Sequence, residues 1–169
     1  MYLYKTKRLI ISELTLQDAS FILRLTNTAG WLQFIGDKKI RTIADAENYI
    51  KTGPLASYIA NGHGLYLVTQ KNTNAPIGLC GIIKRDTLPD KDIGFALLPE
   101  YTGNGYALEA AAAILKNAQD TLLLKRMSAI TLPSNDRSIH LLTRLGFVFE
   151  KMVVLPASEA ELMLFGKIF

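Results

Sequence analysis

Gly103, Asn104 and Gly105 lie between a strand-like run, Asp92 to Leu98, and an alanine-rich stretch, Ala107 to Asp120, that reads as a helix. Two glycines one residue apart admit backbone conformations that other residues avoid, and they let a ligand approach the chain closely. The unpaired N–H groups at the start of the following helix point into the same turn, and that helix end carries a partial positive charge. Strand, glycine turn and helix in this order form an anion cradle, and a phosphate or pyrophosphate is its natural occupant. Spacing excludes two common versions. A mononucleotide loop needs GxxxxGK[ST], and no Lys-Ser or Lys-Thr follows these glycines. A dinucleotide fingerprint needs a small third residue, where Leu108 stands, and an acid about 20 positions on, where Lys125 and Arg126 stand.

Few other residues are equipped for chemistry. Cys80 is alone, which excludes a disulfide framework and a cysteine metal site, and its strand-like surroundings suit a small buried hydrophobe. His63, flanked by Gly62 and Gly64, titrates near neutrality and is expected to face solvent from a turn; His140 falls mid-helix. The net charge of +4 is spread over scattered Lys and Arg without a long run, which argues against a nucleic-acid partner. No segment approaches the roughly 18 apolar residues of a membrane span, so no membrane partner and a cytoplasmic location are expected.

The elements that must position these residues follow from pattern. A chain of 169 residues with 49% hydrophobic content can bury one core, so residues 1–169 read as one domain. Arg8 to Glu13 reads as a strand, and Thr15 with Asp18 opens a helix to about Asn27. Thr28 to Arg41 reads as irregular and holds the only Trp, Trp31. Thr42 with Asp45 opens a second helix to about Ala60, interrupted at Gly53-Pro54. Leu65 to Gln70 and Ile77 to Lys84 read as a hairpin. After the cradle helix come a strand from Arg126 to Leu132, a helix from Asn135 to Leu145 ended by Gly146, and strands Phe147 to Val154 and Glu161 to Ile168. The class is mixed α/β.

Pro99-Glu100-Tyr101 followed by Gly103-x-Gly105-Tyr106-Ala107, between strand and helix, resembles the acetyl-CoA motif of the GCN5-related N-acetyltransferases (GNAT). Asn135, Ser138, Leu145, Gly146 and Phe147 resemble the Asn-x-x-Ser helix, ending in Leu-Gly-Phe, that follows this motif in that family. Thr6-Lys7-Arg8-Leu9-Ile10-Ile11, Leu14-Thr15, Asp18-Ala19, Trp31, Phe34-Ile35-Gly36-Asp37 and Arg41-Thr42 look like the RimJ/RimL-like branch, whose characterised members include acetylases of ribosomal-protein amino termini. The resemblance covers nearly the whole chain. It implies a GNAT fold of α/β (α+β) class: a central mixed, mostly antiparallel, splayed sheet of about six to seven strands flanked by about four helices.

It also implies roles. Acetyl-CoA would lay its pantetheine arm along Ala96, Leu97 and Leu98 and its pyrophosphate over the amides of Gly103, Asn104, Gly105, Tyr106 and Ala107. Asn135 and Ser138 would border the thioester, and a backbone N–H near Leu97 or Leu98 would receive the oxyanion. Thr102 stands where relatives often carry a basic, glutamine or aromatic residue, and Asn104 where lysine is frequent, which implies weaker holding of the co-substrate. Many relatives protonate the departing thiolate with a tyrosine at the position of Leu142. Its absence leaves Ser138 as the acid, favoured by the helix dipole, or as a surface or capping serine. Asp92 is either a water-mediated base or a solvated strand-start residue. Trp31 and Phe34 either wall the acceptor cleft or belong to the core. No metal is implied.

Such sparse base machinery favours an amine that needs little help. An α-amine is roughly 9 to 17% neutral at pH 7, a lysine side chain about 0.04%. The expected acceptor is therefore a protein or peptide N-terminal α-amine. A small amine such as a polyamine or aminoglycoside is the alternative, although the acidic residues form no evident cluster. A catalytically silent acyl-CoA sensor is the other. A homodimer and a monomer both stay open.

Overall fold

The computed structural model describes residues 2–156 and 159–169. Eight strands are present: β1 Tyr2–Lys5, β2 Leu9–Ser12, β3 Leu65–Gln70, β4 Pro76–Ile83, β5 Asp92–Leu97, β6 Arg126–Thr131, β7 Val148–Val154 and β8 Glu161–Ile168. They form one sheet in the order β1-β2-β3-β4-β5-β6-β8-β7. All neighbouring pairs are antiparallel except β5 and β6, which are parallel.

The two faces of the sheet carry different cores. On one face, α5 (Tyr106–Asp120) buries Ala110, Ala111, Ile114 and Ala118 against Ile11, Val68, Cys80, Ile93 and Met127. Leu142 of α6 (Asp136–Arg144) joins the same cluster. On the other face, α1 (Ala19–Thr26) and α3 (Ile43–Ile50) pack Ile22, Leu25, Ala46 and Ile50 onto Leu67 and Leu79. Leu67 and Val68, and likewise Leu79 and Cys80, are sequence neighbours that enter opposite cores, as the period-2 geometry of a strand requires. Small alanines let α5 lie close over the strands that carry the candidate site.

Three local expectations change. The sheet has eight strands rather than six to seven, because β1 pairs with β2 at the sheet edge. The segment read as irregular contains the helix α2 (Ala29–Phe34), capped by the Thr28 hydroxyl, which accepts from the Trp31 N–H at 3.4 Å. Its one buried residue, Trp31, drives it into the core, so tertiary packing makes a helix where the local pattern is weak. At Gly53-Pro54 the chain does not break: a π-helical turn, Lys51–Leu55, absorbs the proline between α3 and α4 (Ala56–Asn61).

The decisive feature is the junction of β5 and β6. Strand β5 pairs with β4 at six positions but with β6 only at Asp92↔Ser128. From that vertex the two strands diverge. Gly94, Phe95, Ala96 and Leu97 are consequently only half-buried, although β5 lies in the middle of the sheet.

Candidate active site

Strand β5 presents an open ladder. The Leu98 N–H donates to the Ile77 carbonyl at 2.8 Å. Antiparallel pairing alternates, so Ala96 and Gly94 also turn their backbone groups toward β4, while Ile93, Phe95 and Leu97 turn theirs toward the gap. This corrects the expectation for Ala96 and Leu98: both turn their backbone groups to β4, and Leu98 is fully buried with its amide spent on Ile77. Leu97 keeps its place, and the backbone of Phe95 is a further gap-facing group that motif reading missed. Gly78 makes the geometry possible. A Cβ there would stand 2.3 Å from the Ala96 carbonyl oxygen and 3.0 Å from Leu97 Cα, so β4 can press against β5 only without a side chain at this position.

At the mouth of the gap a 3-10 turn, Pro99–Tyr101, leads into the glycine turn. Gly103 and Gly105 have φ of +79° and +77°, the left-handed region that glycine adopts without strain. Gly105 is the N-cap of α5, and the first intrahelical amide to bond back is that of Glu109, to the Gly105 carbonyl at 3.1 Å. The amides of Tyr106, Ala107 and Leu108 therefore lack intrahelical acceptors. Residues 103–105 are exposed. Thr102 donates its hydroxyl to the Pro99 carbonyl at 2.8 Å and Asn104 its amide to the Thr102 carbonyl at 3.2 Å, so both side chains shape the turn itself. From Leu108 a groove of about 630 Å³ runs along α5 toward the ends of α6 and β8, with Lys116, Arg144 and Lys167 in its walls.

Across the gap stands the start of α6. Asn135 caps it, its side-chain oxygen accepting from the Ser138 N–H at 3.2 Å. That bond leaves the Asn135 amide nitrogen available. Ser138 is only 8% exposed, which removes the surface-serine reading, and its hydroxyl makes no hydrogen bond among the described residues. Leu142 is 1% exposed and belongs to the core, so no proton donor occupies the position one turn further on.

The vertex of the gap is built from ions. Asp92 is 1% exposed, not solvated, and accepts from Arg85 Nε at 3.1 and 3.2 Å. Burial pushes its carboxyl above the usual range, and the pairing with Arg85 offsets this only in part. Nearby, Arg126 donates to Asp90 at 2.8 Å and to Glu150 at 2.5 Å. This gathers acidic residues that looked dispersed in sequence, but each already holds a guanidinium. Gly166 makes room for that network, since a Cβ there would lie 2.1 Å from Glu150 Oε1.

The remaining candidates separate. His63 is fully buried, against the expectation of a solvent-facing turn. Gly62 ends α4 at φ +70° and folds the ring inward, where Nδ1 lies 3.2 Å from the Ile82 carbonyl. Burial lowers its pKa and keeps it neutral. Cys80 is a buried hydrophobe as expected, its thiol pushed up to about 12 by burial. Trp31 is 5% exposed within the core, with its indole N–H buried and without a partner among the described residues, while Phe34 is half-buried. Of the acceptor-wall pair, only Phe34 keeps substantial exposure. No group of His, Cys, Asp and Glu able to hold a metal occurs among the described residues, and no helix there is long and apolar enough to cross a membrane.

Comparison with known proteins bears on this geometry. The family model described as "Acetyltransferase (GNAT) domain" matches residues 8–148. An uncharacterised N-acetyltransferase, YoaA of Bacillus subtilis, is 27% identical over 148 residues, 85% of this chain and 81% of that protein. Among solved structures, the RimL ribosomal L7/L12 α-N-protein acetyltransferase in complex with coenzyme A superposes with a TM-score of 0.85 at 13% identity, covering 99% of this chain and 98% of that one. A spermidine N-acetyltransferase chimera from Vibrio cholerae SpeG and hSSAT superposes with a TM-score of 0.76 at 17% identity, covering 95% of each chain. At such identities the structural likenesses establish the fold.

Proposed function

Because the chain belongs to the GNAT acetyltransferase family and is an acetyl-CoA-dependent N-acetyltransferase, we propose that its acceptor is the α-amine of a protein or peptide N-terminus. The observation that carries this is that the acid on β5, Asp92, is buried against Arg85 and not free to serve as a base. A lysine side chain or polyamine needs deprotonation by several units at neutral pH, whereas an α-amine already supplies an appreciable neutral fraction. The fold likeness to RimL supports the same choice. The spermidine acetyltransferase likeness keeps a small amine as the second reading. Against it, Asp90 and Glu150 are both engaged by Arg126.

In this reading the residues present fit acetyl-CoA, which supplies an activated acetyl thioester. The gap-facing backbone of Phe95 and Leu97 receives the extended arm as an added strand. The amides of Gly103 to Ala107 hold the pyrophosphate, and the cations of the groove along α5 attract the nucleotide end. The Leu97 N–H stabilises the oxyanion as the amine attacks. Ser138, buried in the first turn of α6, delivers the proton to the departing sulfur, and Asn135 orients that turn while its free amide nitrogen faces the ligand. Asp92, buried and paired with Arg85, stays at the vertex as a structural ion, and the proton that the amine sheds passes to water. Phe34 borders the acceptor.

Release of free CoA thiol from acetyl-CoA across peptides with free or blocked amino termini, polyamines and aminoglycosides tests the proposal. Turnover confined to free amino termini is expected. Turnover on polyamines alone would transfer the assignment to the second reading, and binding without turnover would mark a sensor.

A further inference from the structure

The cradle turn carries no cation in sequence, since Thr102 and Asn104 stand where relatives often place basic residues. The fold brings one from elsewhere. Arg8, immediately before β2, donates from Nη1 to the Asn104 carbonyl at 2.9 Å, across a sequence separation of 96 residues. Its Nε donates to Glu109 Oε2 at 2.7 Å and its backbone N–H to Glu109 Oε1 at 2.7 Å. The guanidinium carbon lies 4.4 Å from the centre of the Tyr106 ring, within cation–π range. The Thr6 hydroxyl also donates to Glu109, at 2.5 Å.

Two consequences follow. Glu109, one turn into α5, would repel an anion at the cradle, and Arg8 cancels that charge. Burial favours the protonated acid, yet the bonds from Thr6 and Arg8 outweigh it and hold the Glu109 carboxyl below the usual range. Second, pinning the Asn104 carbonyl on one side commits the turn to a single orientation. The Arg8 side chain remains 40% exposed, and its Nη2 makes no hydrogen bond among the described residues. That nitrogen lies 3.4 Å from where a Cβ on Gly105 would stand, directly beside the turn.

We infer that Arg8 is a binding residue for the co-substrate's phosphates: its fixed fork locks the Gly103–Gly105 turn through the Asn104 carbonyl and presents the free Nη2 N–H groups, with their charge, to a phosphate oxygen. The inference rests on the acetyl-CoA reading of the cradle. Arginine suits the task because one rigid plane serves carboxylate, carbonyl and phosphate together, which a lysine point charge cannot do.

Calorimetric titration of wild type and Arg8→Gln with CoA and with pantetheine, which lacks the phosphates, separates binding from mere stapling. The expected result is a loss of about tenfold in CoA affinity against less than about twofold for pantetheine, with a shallower dependence of CoA affinity on salt. CoA affinity within about twofold of wild type would overturn the inference, as would equal weakening of both ligands, which marks a structural staple. Should circular dichroism show Arg8→Gln unfolded, Arg8→Lys retains a cation for Glu109 without the fork; a loss of about threefold for CoA alone is expected, and no loss overturns the assignment. Wild type that binds neither CoA nor acetyl-CoA would instead break the cradle reading itself, and Arg8's role with it.

Discussion

At its C-terminal end β5 runs into a turn of glycines and free backbone amides, while at its N-terminal end Asp92 is held by Arg85 and the adjacent Asp90 by Arg126. The ligand-facing donors at the mouth are thus mainly main chain, buttressed by the Arg8–Glu109 pair, whereas the vertex is made of side-chain ion pairs. Main-chain donors depend on conformation and tolerate changes of side chain, provided the glycines remain. Ion pairs at the vertex depend on partners from separate elements, and losing one partner strands a buried charge. The same strand is therefore robust to substitution at one end and brittle at the other. This contrast explains how Thr102 and Asn104 can depart from the family pattern while the cradle keeps its shape.

The contrast can be broken most directly at Gly105. Gly105→Val forces a branched residue into φ +77° and reorients the first-turn amides. Acetyl-CoA affinity should fall on the order of 100-fold while circular dichroism stays native, a loss scaled to a few kcal/mol of backbone strain. Calorimetry showing unchanged affinity would remove the main-chain account of the mouth.

Ser138→Ala tests the acid across the gap. Its kcat should drop about 10- to 100-fold with acetyl-CoA affinity preserved, since general acid catalysis acts on the chemical step. A change confined to KM would reassign Ser138 to binding.

At the vertex the readout should be stability. Arg85→Met leaves Asp92 buried without its cation and should cost about 2 kcal/mol in urea unfolding, a figure reduced from that of a fully buried pair because Arg85 is partly exposed. Acetyl-CoA affinity should barely move, and a large affinity loss would mean that the two ends are coupled.

Titration sharpens the same point. The folded Asp92 carboxyl is raised above its unfolded value, so the folded state holds the proton more tightly. Stability should then decline as pH rises from the ordinary carboxylate range through the raised folded value, and Asp92→Asn should remove that decline. Denaturation curves from pH 3 to 7, at about half-unit steps, would detect it. The smallest effect is expected for Asn104→Ala. Its backbone carbonyl still accepts from Arg8, and only an exposed 3.2 Å side-chain bond is lost. CoA affinity should change less than about twofold.

Much of the mouth was legible from local pattern. Gly103 and Gly105 before an alanine-rich run announce a turn and a helix, and Asn135 with Gly146 bounds the helix opposite, because caps and glycine conformations act over a few residues. Strands β3, β4 and β5 were legible as apolar runs, the first two as a hairpin. The vertex was not legible. Nothing near Asp92 in sequence says whether it is solvated, and Arg126, Glu150 and Gly166 meet only after β6, β7 and β8 assemble. His63 misled for a related reason: flanking glycines suggest a surface turn, but the left-handed Gly62 turned the ring inward.

By itself, then, the sequence determined the element order apart from β1 and α2, the glycine turn, the capped helix beyond it and the family resemblance, all of which rest on short-range backbone preferences and side-chain periodicity. Tertiary structure alone decided where β5 and β6 part, that Phe95 and Leu97 rather than Ala96 and Leu98 face the gap, and that Arg8 reaches the cradle. Those outcomes depend on pairings between residues far apart in the chain, whose free energy is set by packing and ion pairing that no local window contains.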